Sequence, residues 1–338
     1  MLILVQGSAT LKNLTRHMPR SLHYWTVLRM VKAGYWDASA LITELAQAAL
    51  YSLPPPADGI LYLIGDKTIS GKTGEKQPLA TYTRMNEYQQ FTFGISLVLL
   101  IAQWGRLRIP LVAAVLDPKK KGDQNIQFRQ MLRRFEQSSW ASQVIVLADA
   151  GFASKDNLRL IMQKQWRYVF ALPRTWKLAD GTHLRDLARH LPKLYYRRVA
   201  SYKLDQRRKD YLVFARRARL HTLGDVTILL SKQRRNDGPK KIKLIVTNLD
   251  NPSASAILNV YARRWAVEVT FRELKSGLHL GQMQVTGKEN RVRHAMLFPV
   301  LTYLLLLRLY GSELEADKSF SLFTLKTSVY GGRFQRAT

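Results

Sequence analysis

The sequence predicts a mixed α/β fold: a strand-and-helix core, a helical amino-terminal segment before it and a β-rich stretch within it. Three observations predict this. Apolar runs of strand length alternate with amphipathic, helix-length stretches between residues 60 and 172. From about 173 to 241 the pattern changes to short alternating runs broken by turn dipeptides. From about residue 253 a helical period returns, with apolar and charged residues on neighbouring faces.

In chain order, residues 14–51 have helical character. Pro19 suits a first helical turn, Leu22, Trp25, Leu28 and Val31 recur at three-residue steps, and Ala40–Leu50 is rich in Ala and Leu. Arg16, His17, Arg20, Arg29 and Lys32 decorate the first part, which fits a small DNA-contacting module and a helical cap on the core about equally. Three prolines in Leu53–Gly59 then break the helix. The run Ile60–Gly65 is expected to be a strand that delivers Asp66 at its end. Strands at Phe91–Ile101 and Leu111–Leu116, a helix at Asn125–Gln137, a central strand at Gln143–Ala148, a helix at Lys155–Lys164 and a strand at Arg167–Leu172 follow. Asp149 ends the central strand. Three strands, helix, strand, helix, strand is the order of a ribonuclease H-like core.

The stretch 173–241 reads as a β-rich insertion with strands near Tyr195–Tyr202, Asp210–Ala215 and Asp225–Leu230. It is dense in Arg and Lys, which favours phosphate contact over a merely solvated surface. Ile242–Asn248 returns to the core. The expected domains are therefore 1–56, helical; 57–172 with 242–338, catalytic; and 173–241, the insertion.

The helix after Ser253 carries the densest chemistry. Tyr261, Arg264, Glu268 and Lys275 fall at roughly 0°, −60°, −20° and −40° on a wheel of about 100° per residue, one narrow stripe about 21 Å long. Val267, Phe271, Leu274 and Leu278 lie beside it as an apolar strip. A solvated face with i,i+4 ion pairs would have the same composition. The two strand-end aspartates shift the balance toward chemistry, although each alone reads as readily as a turn or cap residue. Asp117, ahead of Pro118, also ends a strand and reads as a turn residue. Three carboxylates, Asp66, Asp149 and Glu268, would hold two Mg²⁺ or Mn²⁺ ions about 3.5–4 Å apart for in-line phosphoryl transfer.

Composition agrees with a polyanionic partner. The 338 residues include 53 Lys and Arg against 24 acids, a formal net charge of +29. Such an excess repels itself unless nucleic acid, or less readily an anionic membrane surface, counters it. There is no cysteine, which excludes a disulfide framework and thiolate metal sites and suits a reducing cytoplasm. The start lacks a secretory pattern. Ala295–Leu307, interrupted by Pro299, reads as a buried core helix too short to span a bilayer. A soluble, cytoplasmic protein without a membrane partner is expected.

The motifs Asp66-Lys67-Thr68, Asp149-Ala150-Gly151-Phe152 and the Tyr261/Arg264/Glu268/Lys275 spacing resemble a DDE transposase of the insertion-sequence-four family, whose YREK signature is matched at all four positions. Val246–Leu249 ahead of the signature helix is also similar, and the resemblance covers about residues 57 to 310. It implies Asp66, Asp149 and Glu268 as ligands of two divalent metals, Tyr261, Arg264 and Lys275 as DNA contacts near the cleaved end, cut-and-paste movement of an element, and a homodimer bringing two element ends together. Members with this insertion often cut through a hairpin with a flipped base stacked on an aromatic. Trp166, Trp176, Tyr195 and Tyr196 are the candidates here, against ordinary core packing. Two other readings share the composition: a structure-selective nuclease or resolvase on the same fold, and a non-catalytic DNA-binding relative.

Overall fold

A computed structural model describes residues 23–26, 29, 37–52, 56–74, 77–84, 91–137, 139, 141–202, 208–221, 223–283, 285, 287–316, 321 and 324. Most of the expected first helix, part of the Pro-rich break and the tail from 325 lie outside these residues. The described elements are α1 (Ala38–Ser52), β1 (Ile60–Gly71), β2 (Ala80–Arg84), β3 (Phe91–Trp104), β4 (Leu107–Val115), α2 (Asp123–Arg134), β5 (Gln143–Ala148), α3 (Lys155–Gln163) and β6 (Arg167–Ala171). Then come α4 (Leu184–His190), β7 (Arg197–Tyr202), β8 (Arg208–Leu220), β9 (Gly224–Lys232), β10 (Lys243–Thr247), α5 (Ala254–Ala262), α6 (Trp265–Arg272), a π turn at Glu273–Gly277 and α7 (Glu289–Ala316).

The chain divides into two compact units. One contains residues 1–54, 67–127 and 267–338, the other 55–66 and 128–266. These units divide the chain differently from the domains expected from sequence, and β7–β9 continue the sheet of the second unit.

In the second unit the strand order is β1-β5-β6-β10-β9-β8-β7. β1, β5 and β6 are parallel, with Ile60 opposite Gln143, Gly65 opposite Ala148, and Ala148 opposite Phe170. Parallel strands are covered on both faces, so they need near-continuous apolar runs, and Leu61–Ile64, Val144–Ala148 and Tyr168–Phe170 are all buried. β10 runs antiparallel to β6 and β9, and β8 and β7 continue the antiparallel ladder outward. Asn248 extends the β10–β6 pairing with its side chain, accepting from Tyr168 N at 2.7 Å and donating to Trp166 O at 3.2 Å.

One face of this sheet is fixed by an aromatic wedge. The Phe128 ring lies 4.9 Å from Phe152 and 6.4 Å from Phe170. It passes directly over Gly65, where a Cβ would meet Phe128 Cε2 at 2.2 Å. A Cβ there would force the ring to shift. Since side chains alternate across a strand, Asp66 and Asp149 project from the opposite face.

In the first unit β2, β3 and β4 form an antiparallel meander, and the end of β1 lies beside β3, with Lys72 N donating to Phe93 O at 2.9 Å. β1 thus runs on past Asp66 to Gly71, longer than the strand expected from its apolar run. Its continuation alternates buried Thr68 and Ser70 with half-buried Lys67 and Ile69, a polar pattern that a search for continuous apolar runs passes over. α1 packs on β4 and α7 through Ala38, Ile42, Ala46, Ala49 and Leu50, so this part of the amino-terminal segment is a cap on its unit.

α7 confirms the core helix expected around Ala295–Leu307 but is longer. Glu289–Gly311 is long and apolar enough, by length and composition alone, to cross a membrane. Val292, Ala295, Met296, Val300, Tyr303, Leu304 and Leu307 are buried, and the helix packs on β4 and α1. Asp117 is a turn residue as expected: it follows β4, and its Oδ1 accepts from Lys119 N at 2.9 Å.

Candidate active site

The site begins at the first two parallel strands of the second unit, β1 and β5. Asp66 and Asp149 each stand one residue beyond the last paired positions, Gly65 and Ala148. Neighbouring strands are about 4.8 Å apart, so the two residues stand side by side at this end of the sheet. The Asp149 carboxylate is aimed by its own loop: Oδ1 accepts from Gly151 N at 2.8 Å, and Phe152 N donates to Asp149 O at 3.2 Å. Behind it, fully buried Asn157 donates to Phe152 O at 2.7 Å and accepts from Arg129 at 3.1 Å, while Ser154 caps α3 by accepting from Asn157 N. A loop tied at four points holds its aspartate in one orientation.

α5 brings the opposite charge. Ser253 caps it by accepting from Ala256 N, Asn259 Oδ1 accepts from Tyr202 N at 2.8 Å, and Ser255 Oγ donates to Ala200 O at 2.9 Å. The last two bonds attach the helix to β7, so the β-rich stretch is the frame on which α5 sits. At its end Arg264 Nη1 donates to Asp66 Oδ2 at 3.0 Å, with side chains only 15% and 13% exposed. The guanidinium lies 5.9 Å from the Tyr261 ring centre. Tyr261 is 8% exposed. Burial first, with the charges of Asp149 and Asp66, pushes its phenol up to about 12, against the opposing effect of Arg264. Phenol, guanidinium and both aspartates therefore share one electrostatic neighbourhood.

The single helical stripe expected from the wheel is corrected. α5 stops at Ala262, and Arg263 and Arg264 form a turn whose N–H groups bond three residues back, to Val260 O and Tyr261 O. α6 starts at Trp265 and passes into the π turn, closed by Leu278 N on Glu273 O, five residues back. A tight turn and a wide one replace the uniform 100° step, so residues on both sides of them no longer share a wheel. Tyr261 accordingly faces the core of its own unit. The apolar strip Val267, Phe271, Leu274 and Leu278 is buried as expected.

Glu268 stands on α6 and belongs to the other unit, as does Lys275 in the π turn. Lys275 Nζ donates to Ile69 O at 2.8 Å, three residues past Asp66 on β1, and burial holds its pKa below the usual lysine range. Among the described residues no three His, Asp or Glu side chains are gathered into a group that could hold a metal ion. The pair Asp66 and Asp149 fits a hard divalent cation by donor type, and Arg264 on Asp66 shows that this carboxylate already receives a positive charge.

Of the aromatics considered for base stacking, Trp166 is buried on Phe135 and donates to Gln137 Oε1, and Tyr196 is buried under Lys232. Both are packing residues. Trp176 lines a 330 Å³ cleft with Lys155, Lys177 and His221, and Tyr195 is exposed.

Residues that sequence reading passed over include Glu273, buried in the first unit between Arg108, at 2.7 Å, and the Tyr303 hydroxyl, at 3.0 Å. The wheel sets Glu273 well away from the apolar strip, so no signal in the sequence marked it. A second is the loop after the π turn, seated on β1 and its continuation: Lys72 donates to Gly281 O and Met283 O, and Gln77 donates to Val285 O at 2.7 Å. Gly281 has φ +78° and a Cβ there would collide with Ser70 Oγ, so only glycine fits.

Comparison with known proteins agrees with this architecture. A sequence model of the transposase DDE domain matches residues 68–305, a span that contains Asp149, Tyr261, Arg264, Glu268 and Lys275 and starts just after Asp66. A probable transposase for insertion sequence element IS5377 of Geobacillus stearothermophilus is 33% identical over 90 residues, which is 26% of this chain and 24% of that one. The chain thus spans about a quarter of that relative. Among solved structures, the piggyBac transposase synaptic complex with hairpin DNA is similar in fold, with a TM-score of 0.51 at 11% identity over 95% of this chain and 62% of that one.

Proposed function

The chain belongs to the transposase DDE domain family, and from that premise we propose that it is a DNA transposase that cuts the ends of a mobile element and joins them to a target. The observation that carries the proposal is the pair of neighbouring aspartates at the β1–β5 edge with Arg264 held against one of them. Within the family we assign it to the insertion-sequence-four group. The support is the spacing of Tyr261, Arg264, Glu268 and Lys275 and the β-rich segment between Asp149 and the α5–α6 region, on a core we read as ribonuclease H-like.

In this reading Asp66, Asp149 and Glu268 would hold two Mg²⁺ or Mn²⁺ ions, which would supply Lewis-acid stabilisation of phosphoryl transfer. The tied loop at Asp149 fixes its carboxylate before substrate arrives. Preorganised groups of this kind cost no rearrangement during the reaction. Arg264 offers a planar fork to a phosphate near the cleaved bond, and Lys275 offers a point charge. Tyr261, being buried, supports Arg264 from beneath. The basic β-rich segment carries the flanking DNA, two copies of the chain join two element ends, and the enzyme works in the cytoplasm.

The test is a pair of assays on the full chain with Mg²⁺: nicking of an element end, and strand transfer of a pre-cut end. Both should proceed. Nicking without transfer would make the protein a structure-selective nuclease, and DNA binding without any metal-dependent cleavage would make it a non-catalytic relative.

A further inference from the structure

We propose that Arg264 is the resident counter-ion of Asp66, that a divalent cation on Asp66 competes with it, and that the guanidinium so released is available to a DNA phosphate. The inference rests on the reading of Asp66 and Asp149 as metal ligands.

The two aspartates are not equivalent. Asp149 Oδ1 accepts from a neutral amide, the N–H of Gly151, which orients the carboxylate and leaves its charge uncompensated by that bond. Asp66 Oδ2 accepts from a guanidinium at 3.0 Å in a site where both side chains are largely shielded from water. A second cation on the same carboxylate would face Arg264 at a few ångströms, where screening by solvent is weak, so both cannot occupy it at full strength. The geometry allows exchange. Arg264 lies in the two-residue turn between α5 and α6, outside the helix that Ser253, Ser255 and Asn259 fix, and its guanidinium also lies against Tyr261. A phosphate placed beside the site would then take the guanidinium that the metal releases. Metal and DNA binding should reinforce each other, because each removes the group that opposes the other.

The experiment measures Mn²⁺ binding to the full-length chain by calorimetry without DNA, in the wild type, Arg264→Gln and Arg263→Gln. Arg263 controls for loss of one nearby positive charge; its guanidinium stacks 4.3 Å from the Tyr62 ring centre. Arg264→Gln should bind Mn²⁺ at least about tenfold more tightly than wild type, since the buried ion pair no longer competes. Arg263→Gln should stay within about twofold. Equal affinities in wild type and Arg264→Gln, or equal gains in both variants, would overturn the inference. A second measurement needs no variant: modification of wild-type Arg264 by phenylglyoxal, read by peptide mass spectrometry, should rise several-fold on adding Mn²⁺. No change in a protein that binds Mn²⁺ would also overturn it. If neither the wild type nor either variant binds Mn²⁺, the metal-ligand reading itself falls and the inference falls with it, an outcome distinct from binding that ignores Arg264.

Discussion

Two arginine–carboxylate pairs, one in each unit, differ in what surrounds them. In the first unit Glu273 is 4% exposed and both its oxygens are occupied, Oε1 by Arg108 and Oε2 by the Tyr303 hydroxyl. Burial, then the Glu273 carboxylate, pushes the Tyr303 phenol well above the usual tyrosine range. In the second unit Asp66 Oδ2 accepts from Arg264, and Asp149 follows the neighbouring strand one residue past its last pair. A saturated pair ties β4, the π turn and α7 together. In the proposed function, a pair with a like charge next to it exchanges partners when a metal arrives.

The largest effect that would break this contrast is catalytic. Asp66→Ala, Asp149→Ala and Glu268→Ala should each lower metal-dependent nicking by on the order of a thousandfold or more while the protein stays folded, because each removes a ligand oxygen that the site cannot replace. Nicking at near wild-type rate by any one of them would remove that residue from the site. Glu273→Ala should do the reverse and destabilise the fold by about 3–5 kcal/mol in urea unfolding, since it strands a buried arginine. A loss below about 1 kcal/mol would show that Arg108 reaches water on its own.

The pH dependence of stability sharpens the comparison. Because the folded-state pKa of Tyr303 is raised, its neutral form contributes stability that is intact below the ordinary tyrosine pKa near 10 and is lost as pH rises from there toward the folded value. Wild-type stability should therefore fall more steeply with pH above about 10 than that of Tyr303→Phe, by up to about 1.4 kcal/mol per pH unit. Parallel curves would mean that the phenol is not buried as described.

Gly65→Ala tests the frame of the working pair, and should cost about 1–3 kcal/mol because its Cβ falls on the Phe128 ring. An unchanged melting temperature would show that the ring gives way. At the bottom of the scale, Asp117→Asn should leave nicking and stability within about 0.5 kcal/mol, because a turn that accepts from Lys119 N needs only a polar oxygen. Loss of nicking there would place Asp117 in the site.

The sequence by itself determined what local chemistry determines. Apolar runs located β5 and β6 to within a residue, since a strand buried on both faces has little choice of composition. Turn dipeptides located β7–β9, and Ser253 marked the start of α5. Asp66, Asp149 and Glu268 could be picked out as candidates because their residue types and intervals are written in the chain. Tertiary structure decided the rest. It carried β1 past Asp66 through a polar stretch that has no apolar signal, because pairing with β3, not composition, extends it. It joined the basic strands to β10 instead of leaving them apart, because ladder bonds are made with whatever edge lies adjacent. It broke the expected stripe into α5, a tight turn, α6 and a π turn, and so buried Tyr261 and set Arg264 on Asp66. Helical period is a property of neighbours along the chain, whereas the partner of a charge is chosen by whatever the fold brings within about 3 Å.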